Sequence, residues 1–465
     1  MKKLLTLSLC AALLFCAASV VFAGGGGDKG SSSGKTVVKL GMWPEDTLPA
    51  EIAMHEEFVK QMKNKYPNIE IQPAQYRYAV DTFVSMAEAG QAPTVFETWF
   101  TEPPKLINGK FVKDITSEVK ALGWDSKMNP AIRELLMKDG KLYGIPRDGY
   151  ALGLMLNVDL FRKAGLVDRN GVPQYPKTWD ELATVAQTIK QKTGSAGLCL
   201  LAKDNAGGWH FTNIAWGFGA VFTAQKGGKW VAQVNTPEAA AALQYVKDLK
   251  WKYNVLTDDP TNEDWGTGFR AIGTGAAAMY IGAADAVNQP TEVNGLPVGD
   301  LSLVPVPAGP KGQFSLMGGT PYMFASNATT AQVNAALRYL EIMGRSPVVD
   351  ETTIAGLRAD AQRRKNSGVP VIPDVPAWTD PTILKAKQDA IDAFKNIDMR
   401  LYDDYYAAIQ KAGNLRPEET LAQDLYAELT KCLQAVLTDR NANVQALLDT
   451  AQRNFQRMLD SDVNR

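Results

Sequence analysis

Aromatic and acidic side chains occur together at two points near the start of the chain. Trp43 is followed by Glu45 and Asp46, and Trp99 stands next to Phe100. An aromatic ring offers a flat apolar face, and a carboxylate accepts hydrogen bonds from hydroxyl groups. Residues of these two types in one loop suit a ligand that has apolar faces with hydroxyl groups around them. A carbohydrate has both properties.

Alternating strand and helix patterns surround these residues. The predicted strands are 36–42, 69–72 and 93–96, and the predicted helices between them are 49–66 and 81–89. This alternation predicts an α/β fold with a sheet that is parallel in its core and flanked by helices. In such sheets ligands bind beyond the carboxyl ends of the strands, so we expect the site in the loops that follow these strands. Tyr78, in the loop after the second strand, joins the candidate residues.

The later part of the chain is mainly helical. Thr178 and Glu181 form a predicted capping box that starts a helix over 179–193. Further helices are predicted at 237–251 and 330–343, and a long periodic stretch runs from 381 to 459.

The composition excludes several classes of protein. With 465 residues the chain is longer than one hydrophobic core uses, so two lobes are expected. The 49 basic and 50 acidic residues nearly cancel, which gives no reason to expect a nucleic-acid partner. The 2 histidines and the lack of a Cys-x-x-Cys pair argue against a metal site. There is no nucleophile elbow and no phosphate-binding loop, so we predict no catalytic residues and no cofactor.

The N-terminus has the pattern of a secretory signal. Lys2 and Lys3 precede an apolar run that ends at Ala23, where we place the cleavage. Residues 1–23 are thus the predicted signal peptide, and the Gly/Ser-rich residues 24–35 form a flexible leader. Lipidation at Cys16 is the alternative. After cleavage two cysteines remain, Cys199 and Cys432; they can pair, but two buried free thiols are the simpler expectation.

Several motifs in order resemble the bacterial extracellular solute-binding proteins of family 1. They are the Tyr-Gly-Ile-Pro turn at 143–146, Asn-x-Asp-Leu-Phe-x-x-Ala-Gly-Leu at 157–166, Pro-x-Thr-Trp-Asp-Glu-Leu at 176–182, Gly-x-Ala-Ala-Met within 272–279, and Pro-x-Pro-x-Gly-Pro at 305–310. The resemblance implies the two-lobe periplasmic-binding-protein fold, with a multi-strand hinge and a helical C-terminal part. The implied N-terminal lobe is 36–146 plus 322–349, and the C-terminal lobe is 147–321 plus 350–465. The polar stretch 348–377 departs from the family pattern.

The resemblance also implies ligand-binding residues along the hinge and the second lobe. They are Arg147, Asp148, Trp209, Trp216, Asp285, Gly319, Tyr322, Arg416 and Tyr426. Where the family often has an aromatic residue after the strand that begins near Met279, this chain has Asp285, which leaves a hydroxyl acceptor and no stacking ring there. Two alternatives stay open: Arg147 and Asp148 can be a structural ion pair, and Tyr426 can be a contact between helices.

The function implied by the resemblance is binding without catalysis. The chain would be the periplasmic, monomeric component of an ABC transporter that carries a sugar to the transmembrane permease, and the expected sugar is an oligosaccharide. A subunit that presents ligand to a chemosensory receptor would use the same lobe closure, and a glycan-processing enzyme would need only two suitably spaced carboxylates. The sequence does not identify the sugar.

Overall fold

The structure is a computed structural model, and it describes residues 34–46, 49–411 and 413–464. The predicted signal peptide at 1–23, including Cys16, and the predicted leader up to residue 33 lie outside the described residues. Among the helices in the described ranges, none has the length and apolar character needed to cross a membrane.

Strands are distributed along most of the chain. They are β1 (Thr36–Gly41), β2 (Ile69–Pro73), β3 (Val95–Glu97), β4 (Met137–Lys138), β5 (Lys141–Leu142), β6 (Gly144–Pro146), β7 (Tyr150–Asn157), β8 (Ala196–Cys199), β9 (Thr223–Lys226), β10 (Lys229–Ala232), β11 (Ala277–Ala283), β12 (Leu301–Val304), β13 (Ser315–Gly318), β14 (Pro321–Phe324) and β15 (Leu415–Pro417).

Helices alternate with these strands and dominate the last third. They are α1 (Pro49–Lys65), α2 (Val80–Glu88), α3 (Pro103–Asn108), α4 (Thr116–Ala121), α5 (Pro130–Leu135), α6 (Val158–Lys163), α7 (Trp179–Thr193), α8 (Asp204–Phe218), α9 (Pro237–Trp251), α10 (Trp265–Thr274), α11 (Thr330–Ile342), α12 (Glu351–Asn366), α13 (Pro381–Phe394), α14 (Asp403–Ile409), α15 (Ala422–Thr438) and α16 (Val444–Asp462).

The first lobe is built on a five-stranded sheet in the order β2-β1-β3-β14-β6. β1 is parallel to β2 and β3, as the sequence predicts, whereas β14 runs antiparallel to both β3 and β6. Val38 and Leu40 of β1 are completely buried and share a core with Tyr339 of α11. The parallel strands bring the loops after β1, β2 and β3 to one edge of the sheet.

The second lobe is built on a six-stranded sheet. Its order is β15-β13-β7-β11-β8, and β12 also pairs with β7. Residues 151–157 of β7 are all buried, which explains the continuous apolar run Ala-Leu-Gly-Leu-Met-Leu there, because helices or other strands cover both faces of a central strand. The predicted α/β fold class with two lobes is therefore confirmed.

Two extended crossings join the two sheets. One runs from β6 to β7 and the other from β13 to β14, and they are linked by the hydrogen bond from the Arg147 N–H to the Thr320 carbonyl, 2.8 Å. Gly319 in the second crossing has φ +150°, and a Cβ there would come within 2.6 Å of the Asp148 carbonyl oxygen and of a carbon of the Phe100 ring. The crossings therefore lie against each other and against the loop after β3.

A third connection contains the predicted departure from the family pattern. The stretch after α11 forms α12 and leads to α13. Val369 and Ile372 belong to the core of the second lobe, whereas Trp378 packs edge-on against Trp124 of the first lobe, with ring centroids 5.9 Å apart. Val375 forms a backbone bridge with Gly149 of the first crossing. This segment contacts both lobes, so the predicted lobe boundary at residue 350 stays a prediction.

Local sequence signals fix several element ends. Helix α7 begins as predicted, with the Thr178 hydroxyl accepting from the Glu181 N–H at 3.2 Å. The second half of the predicted capping box is wrong, since the Glu181 carboxylate accepts from the Lys177 N–H at 2.7 Å and not from that of Thr178. Cys199 and Cys432 are both free and buried, which confirms the expectation of two separate thiols.

Candidate ligand-binding site

The hinge holds a network of charged side chains. The Arg147 guanidinium donates to the carboxylates of Asp148 at 2.7 Å and Glu97 at 2.9 Å, and to the Thr320 hydroxyl at 3.2 Å. Asp148 in turn accepts from the Thr320 N–H at 2.9 Å. Burial disfavours the charge of Arg147, but the two carboxylates outweigh it and raise its pKa. Arg147 and Asp148 therefore do form an ion pair, which was one of the two alternatives. A ligand contact by either residue stays a prediction.

Two aromatic rings follow the hinge on the second lobe. Tyr150, the first residue of β7, and Trp209 of α8 are perpendicular, with ring centroids 6.2 Å apart. Both side chains are partly exposed, although they pack on the core of the second lobe. The inner face of Trp209 stacks on His210, whose ring is completely buried, at a centroid distance of 5.1 Å. Burial lowers the pKa of His210 to about 3, so this histidine is a neutral support for Trp209.

The Tyr150 hydroxyl is influenced by the charges of several carboxylates. Burial raises the pKa of Tyr150, and so do the charges of Glu418, Asp285 and Asp148. Asp285 keeps an exposed surface but is enclosed by protein on most sides; this desolvation, together with the charge of Asp148, raises its pKa to about 7. Carboxyl groups with rings beside them are suitable partners for sugar hydroxyl groups.

The pKa of Glu418 is affected by charged residues of both lobes. Burial raises its pKa to about 8; the hydrogen bond from the Tyr426 hydroxyl acts in the opposite direction, and the charges of Glu419 and of Glu102 from the first lobe add to the increase. Glu419, in contrast, is tied into the second lobe, because it accepts from Trp216 Nε1 at 3.2 Å and from the Thr223 hydroxyl at 2.5 Å.

The loops after β1 and β2 interact with each other at the edge of the first sheet. Trp43 is partly buried and contacts the edge of the His55 ring, with centroids 5.4 Å apart. Glu45 forms an exposed ion pair with Arg77 at 3.1 Å, and Asp46 accepts from Gln75 at 2.6 Å. The structure thus gives Trp43 and these carboxylates protein partners, and their contact with a ligand stays a prediction.

The loop after β3 carries a second group of rings. Trp99 is partly exposed and perpendicular to Tyr78, with centroids 5.6 Å apart, whereas Phe100 is 3% exposed and packs in the core. The Tyr78 hydroxyl donates to the buried Glu102 carboxylate at 2.5 Å. Of the two neighbouring rings, Trp99 is therefore the one with accessible surface.

Three of the predicted binding residues have almost no accessible surface. Trp216, Tyr322 and Tyr426 are at most 2% exposed. Tyr426 packs where α15 lies against α8, and a Cβ on Gly208 would come within 2.4 Å of the Tyr426 Cα atom. Arg416 covers the Phe314 ring, with its guanidinium carbon 3.4 Å from the ring centroid. Tyr426 therefore forms a contact between helices α15 and α8, which was one of the two alternatives for this residue.

The structure therefore groups some predicted residues and separates others. At the hinge Trp209 packs against Tyr150, the charges of Asp148 and Asp285 act on the Tyr150 hydroxyl, and Arg147 is bonded to Asp148. Trp99 with Tyr78 stands on the first lobe. Tyr150, Glu418 and Trp265 are not among the predicted binding residues, although Trp265 lies in a polar stretch where an indole has no obvious core to fill. Tyr150 follows the predicted hinge residues directly, and that position could have identified it.

No group of three or more His, Cys, Asp or Glu side chains in the described ranges is placed to hold a metal ion. A cavity of about 690 Å³ lies elsewhere on the second lobe, lined by residues that include Asn157, Lys192 and Gly275. It contains none of the predicted binding residues.

Two hinged lobes with aromatic and acidic residues at the hinge define a solute-binding class of protein, and sequence comparison agrees. The sequence profile described as bacterial extracellular solute-binding protein matches residues 49–346. Since this match covers more than half of the chain, the chain belongs to the family of bacterial extracellular solute-binding proteins.

Curated relatives match over part of their length. The arabinooligosaccharide-binding protein of Bacillus subtilis is 25% identical over 54% of this chain and 55% of its own length. The diacetylchitobiose binding protein DasA of Streptomyces coelicolor is 25% identical over 38% of both chains. The matched region of this chain thus spans about half or less of these relatives. Both relatives are named as binding proteins.

Solved structures of such proteins have the same fold. The GacH receptor of Streptomyces glaucescens, described unliganded and in complex with acarbose, superposes with a TM-score of 0.65 at 18% identity, covering 92% of this chain and 99% of that one.

Proposed function

We propose that this protein is the periplasmic substrate-binding component of an ABC importer, and that it binds a carbohydrate of more than one sugar unit between its two lobes. The observation that carries this proposal is the pair of partly exposed rings at the hinge, Tyr150 and Trp209, where the charges of Asp148, Asp285 and Glu418 act on the Tyr150 hydroxyl. Rings beside hydrogen-bond acceptors match the two kinds of surface that a sugar offers. Family membership and relatives named for saccharide binding support it.

Ligand-driven closure is the proposed mechanism. Trp99 and the hinge face the ligand from the first lobe, and Trp209 with Asp285 faces it from the second. A ligand that touches both sides binds the closed state more tightly, and so shifts the equilibrium toward closure by its difference in affinity for the two states. Contact between the lobes already exists, since Gln423 of α15 donates to the Thr101 hydroxyl at 3.2 Å. The permease would recognise the closed form.

A saccharide panel tests the proposal. The probes are chito-, arabino- and maltooligosaccharides from one to five units, added in thermal-shift and calorimetric titrations of the mature protein. A ligand at about 100 times its Kd stabilises the folded state by about 2.7 kcal/mol. We expect at least one probe to raise Tm, and binding of that probe to weaken about tenfold or more in Trp209→Ala, which corresponds to about 1.4 kcal/mol.

Trp230→Ala is the matched control. Trp230 is also a partly buried tryptophan of the second lobe, but it lies on β10 and packs near the C-terminal helix α16. Binding should be unchanged in this variant. If no saccharide binds, or if Trp209→Ala and Trp230→Ala bind equally well, carbohydrate binding at the hinge is wrong. For the transport role, we expect the permease encoded in the same organism to co-purify with the liganded protein; capture of a chemosensory receptor instead would favour sensing.

A further inference from the structure

Trp265, the first residue of α10, is an exposed tryptophan on the second lobe. It is 49% exposed, and it is the one tryptophan or phenylalanine in the described ranges that falls in the exposed class. An indole left half in water is a poor arrangement for a core residue, because burial of aromatic surface stabilises a folded protein. Its exposure suggests that it has a partner outside the chain.

The backbone holds Trp265 firmly in this position. The preceding Asp264 caps α10: its carboxylate accepts from the Thr267 N–H at 3.0 Å, and the Thr267 hydroxyl donates back to the Asp264 carbonyl. Asp264 also pairs with Lys203 at 3.0 Å, and the Lys203 N–H donates to the Glu263 carbonyl at 3.1 Å. Since Lys203 directly precedes α8, these bonds tie the start of α10 to the helix that carries Trp209.

The Trp265 ring continues the aromatic row that begins at the hinge. Its centroid is 6.1 Å from that of Trp209, with the ring planes at 80°. The step from Trp209 to Tyr150 is nearly the same, 6.2 Å and 84°. Tyr150, Trp209 and Trp265 therefore form a row of three rings that leads from the buried hinge outward to solvent, and we call it the aromatic row.

We propose that Trp265 and the outer side of Trp209 form an outer subsite that binds an additional glycosyl unit of an oligosaccharide. This inference rests on the proposed function, because it assigns the inner end of the row to the first sugar unit. The perpendicular rings of Trp209 and Trp265 form a corner, and one apolar sugar face covers the exposed indole there. Asp264 and Lys203 at the rim offer hydrogen-bond partners for hydroxyl groups.

The geometry ties the subsite to ligand length. A pyranose is a single six-membered ring, comparable in size with one ring of the indole, so we expect a monosaccharide bound at Tyr150 not to contact Trp265, which comes after Trp209 in the row. A longer saccharide contacts both. The contribution of Trp265 to affinity should therefore be absent for a monosaccharide and present once the chain extends past Trp209.

The test is calorimetry of wild type and Trp265→Ala with the homologous saccharide series that binds the wild type, from one unit to five. We expect the wild-type affinity to rise with length, and Trp265→Ala to lose about tenfold for the longer members while the affinity for the shortest binder is unchanged. Trp265→Phe, which keeps a ring, should recover most of the loss. Val293→Ala, at another exposed apolar side chain of the same lobe, is the control and should bind as wild type does.

Each remaining outcome has a separate meaning. Equal affinity of wild type and Trp265→Ala for every length, or an equal loss for the shortest and longest members, overturns the outer subsite. So does a wild type that prefers the monosaccharide. A wild type that binds no saccharide at all overturns the proposed function instead. If Trp265→Ala fails to fold, the same comparison is made with Trp265→Gln, which keeps a long side chain but removes the ring.

Discussion

The carboxyl group of Glu418 should make the stability of the unliganded protein fall as the pH rises. Glu418 follows β15 and accepts a hydrogen bond from the buried Tyr426 hydroxyl. Burial, together with the charges of Glu419 and Glu102, raises its pKa from the ordinary 4.5 to about 8. The proposed perturbation is Glu418→Gln, which keeps the shape of the protonated acid and removes its titration.

The sign follows from proton binding in the two states. Between about pH 4.5 and pH 8 the folded protein keeps the proton on Glu418, whereas the unfolded chain has released it. The folded state then binds more protons, so the free energy of unfolding decreases as pH rises through this window. One pKa unit corresponds to about 1.4 kcal/mol. The side chain keeps some solvent contact, which screens its charge, and we therefore expect a loss of about 2 kcal/mol across the window.

Urea denaturation of wild type and Glu418→Gln at several pH values measures this difference. Near pH 4.5 the two proteins should unfold with similar free energies, and near pH 8 the variant should be the more stable by about 2 kcal/mol. Glu57→Gln on exposed α1 is the control; a hydrogen bond from Lys60 lowers the pKa of Glu57, so no such growing advantage is expected. Parallel curves for wild type and Glu418→Gln over the whole range would refute the reasoning.

Three other predictions concern the hinge and the thiols. Gly319→Ala should destabilise the fold by about 3 kcal/mol in urea denaturation, because φ +150° and the Asp148 carbonyl 2.6 Å away leave no place for a Cβ. Arg147→Met should cost about 2 kcal/mol in the same assay, because it leaves two hinge carboxylates without their cation. Cys199 and Cys432 should not react with a thiol reagent until the protein unfolds, because burial raises the pKa of both thiols.

Each of these has its own control. Gly299→Ala places a methyl group in open space and should change stability little. The double variant Arg147→Met with Glu97→Gln should lose less than the two single changes together, since the partners share one interaction. If Gly319→Ala is as stable as Gly299→Ala, or the two losses at Arg147 and Glu97 simply add, the hinge description is wrong. Rapid reaction of either thiol in the folded protein would contradict its burial.

Elements with clear local signals could be predicted from the sequence. The helix starting at Thr178 and the helix from Pro237 to Trp251 end where the periodicity ends, because caps and amphipathic spacing are local properties. The first three strands were also found, since β-branched runs between polar breaks are equally local. Periodicity could not predict that β14 lies antiparallel between β3 and β6 in the first sheet, because these partners are distant from it in sequence.

The binding residues were harder to predict, because the type of a residue does not determine the direction of its side chain. Gly207 and Gly208 lie inside α8 and allow α15 to approach closely, which buries Tyr426. Trp209, one position further on, turns outward. The direction in which a ring points depends on tertiary packing. The burial of Glu418 depends on it too, and no local sequence pattern predicts that burial.

A crystal structure of the protein with the tightest-binding saccharide of the panel tests the central claim most directly. We expect a sugar ring against Trp209, with hydroxyl groups bonded to Asp285 or Glu418 and at least one contact from Trp99 or the hinge on the first lobe. A saccharide bound by one lobe alone, for example in the 690 Å³ cavity beside Asn157, would contradict it.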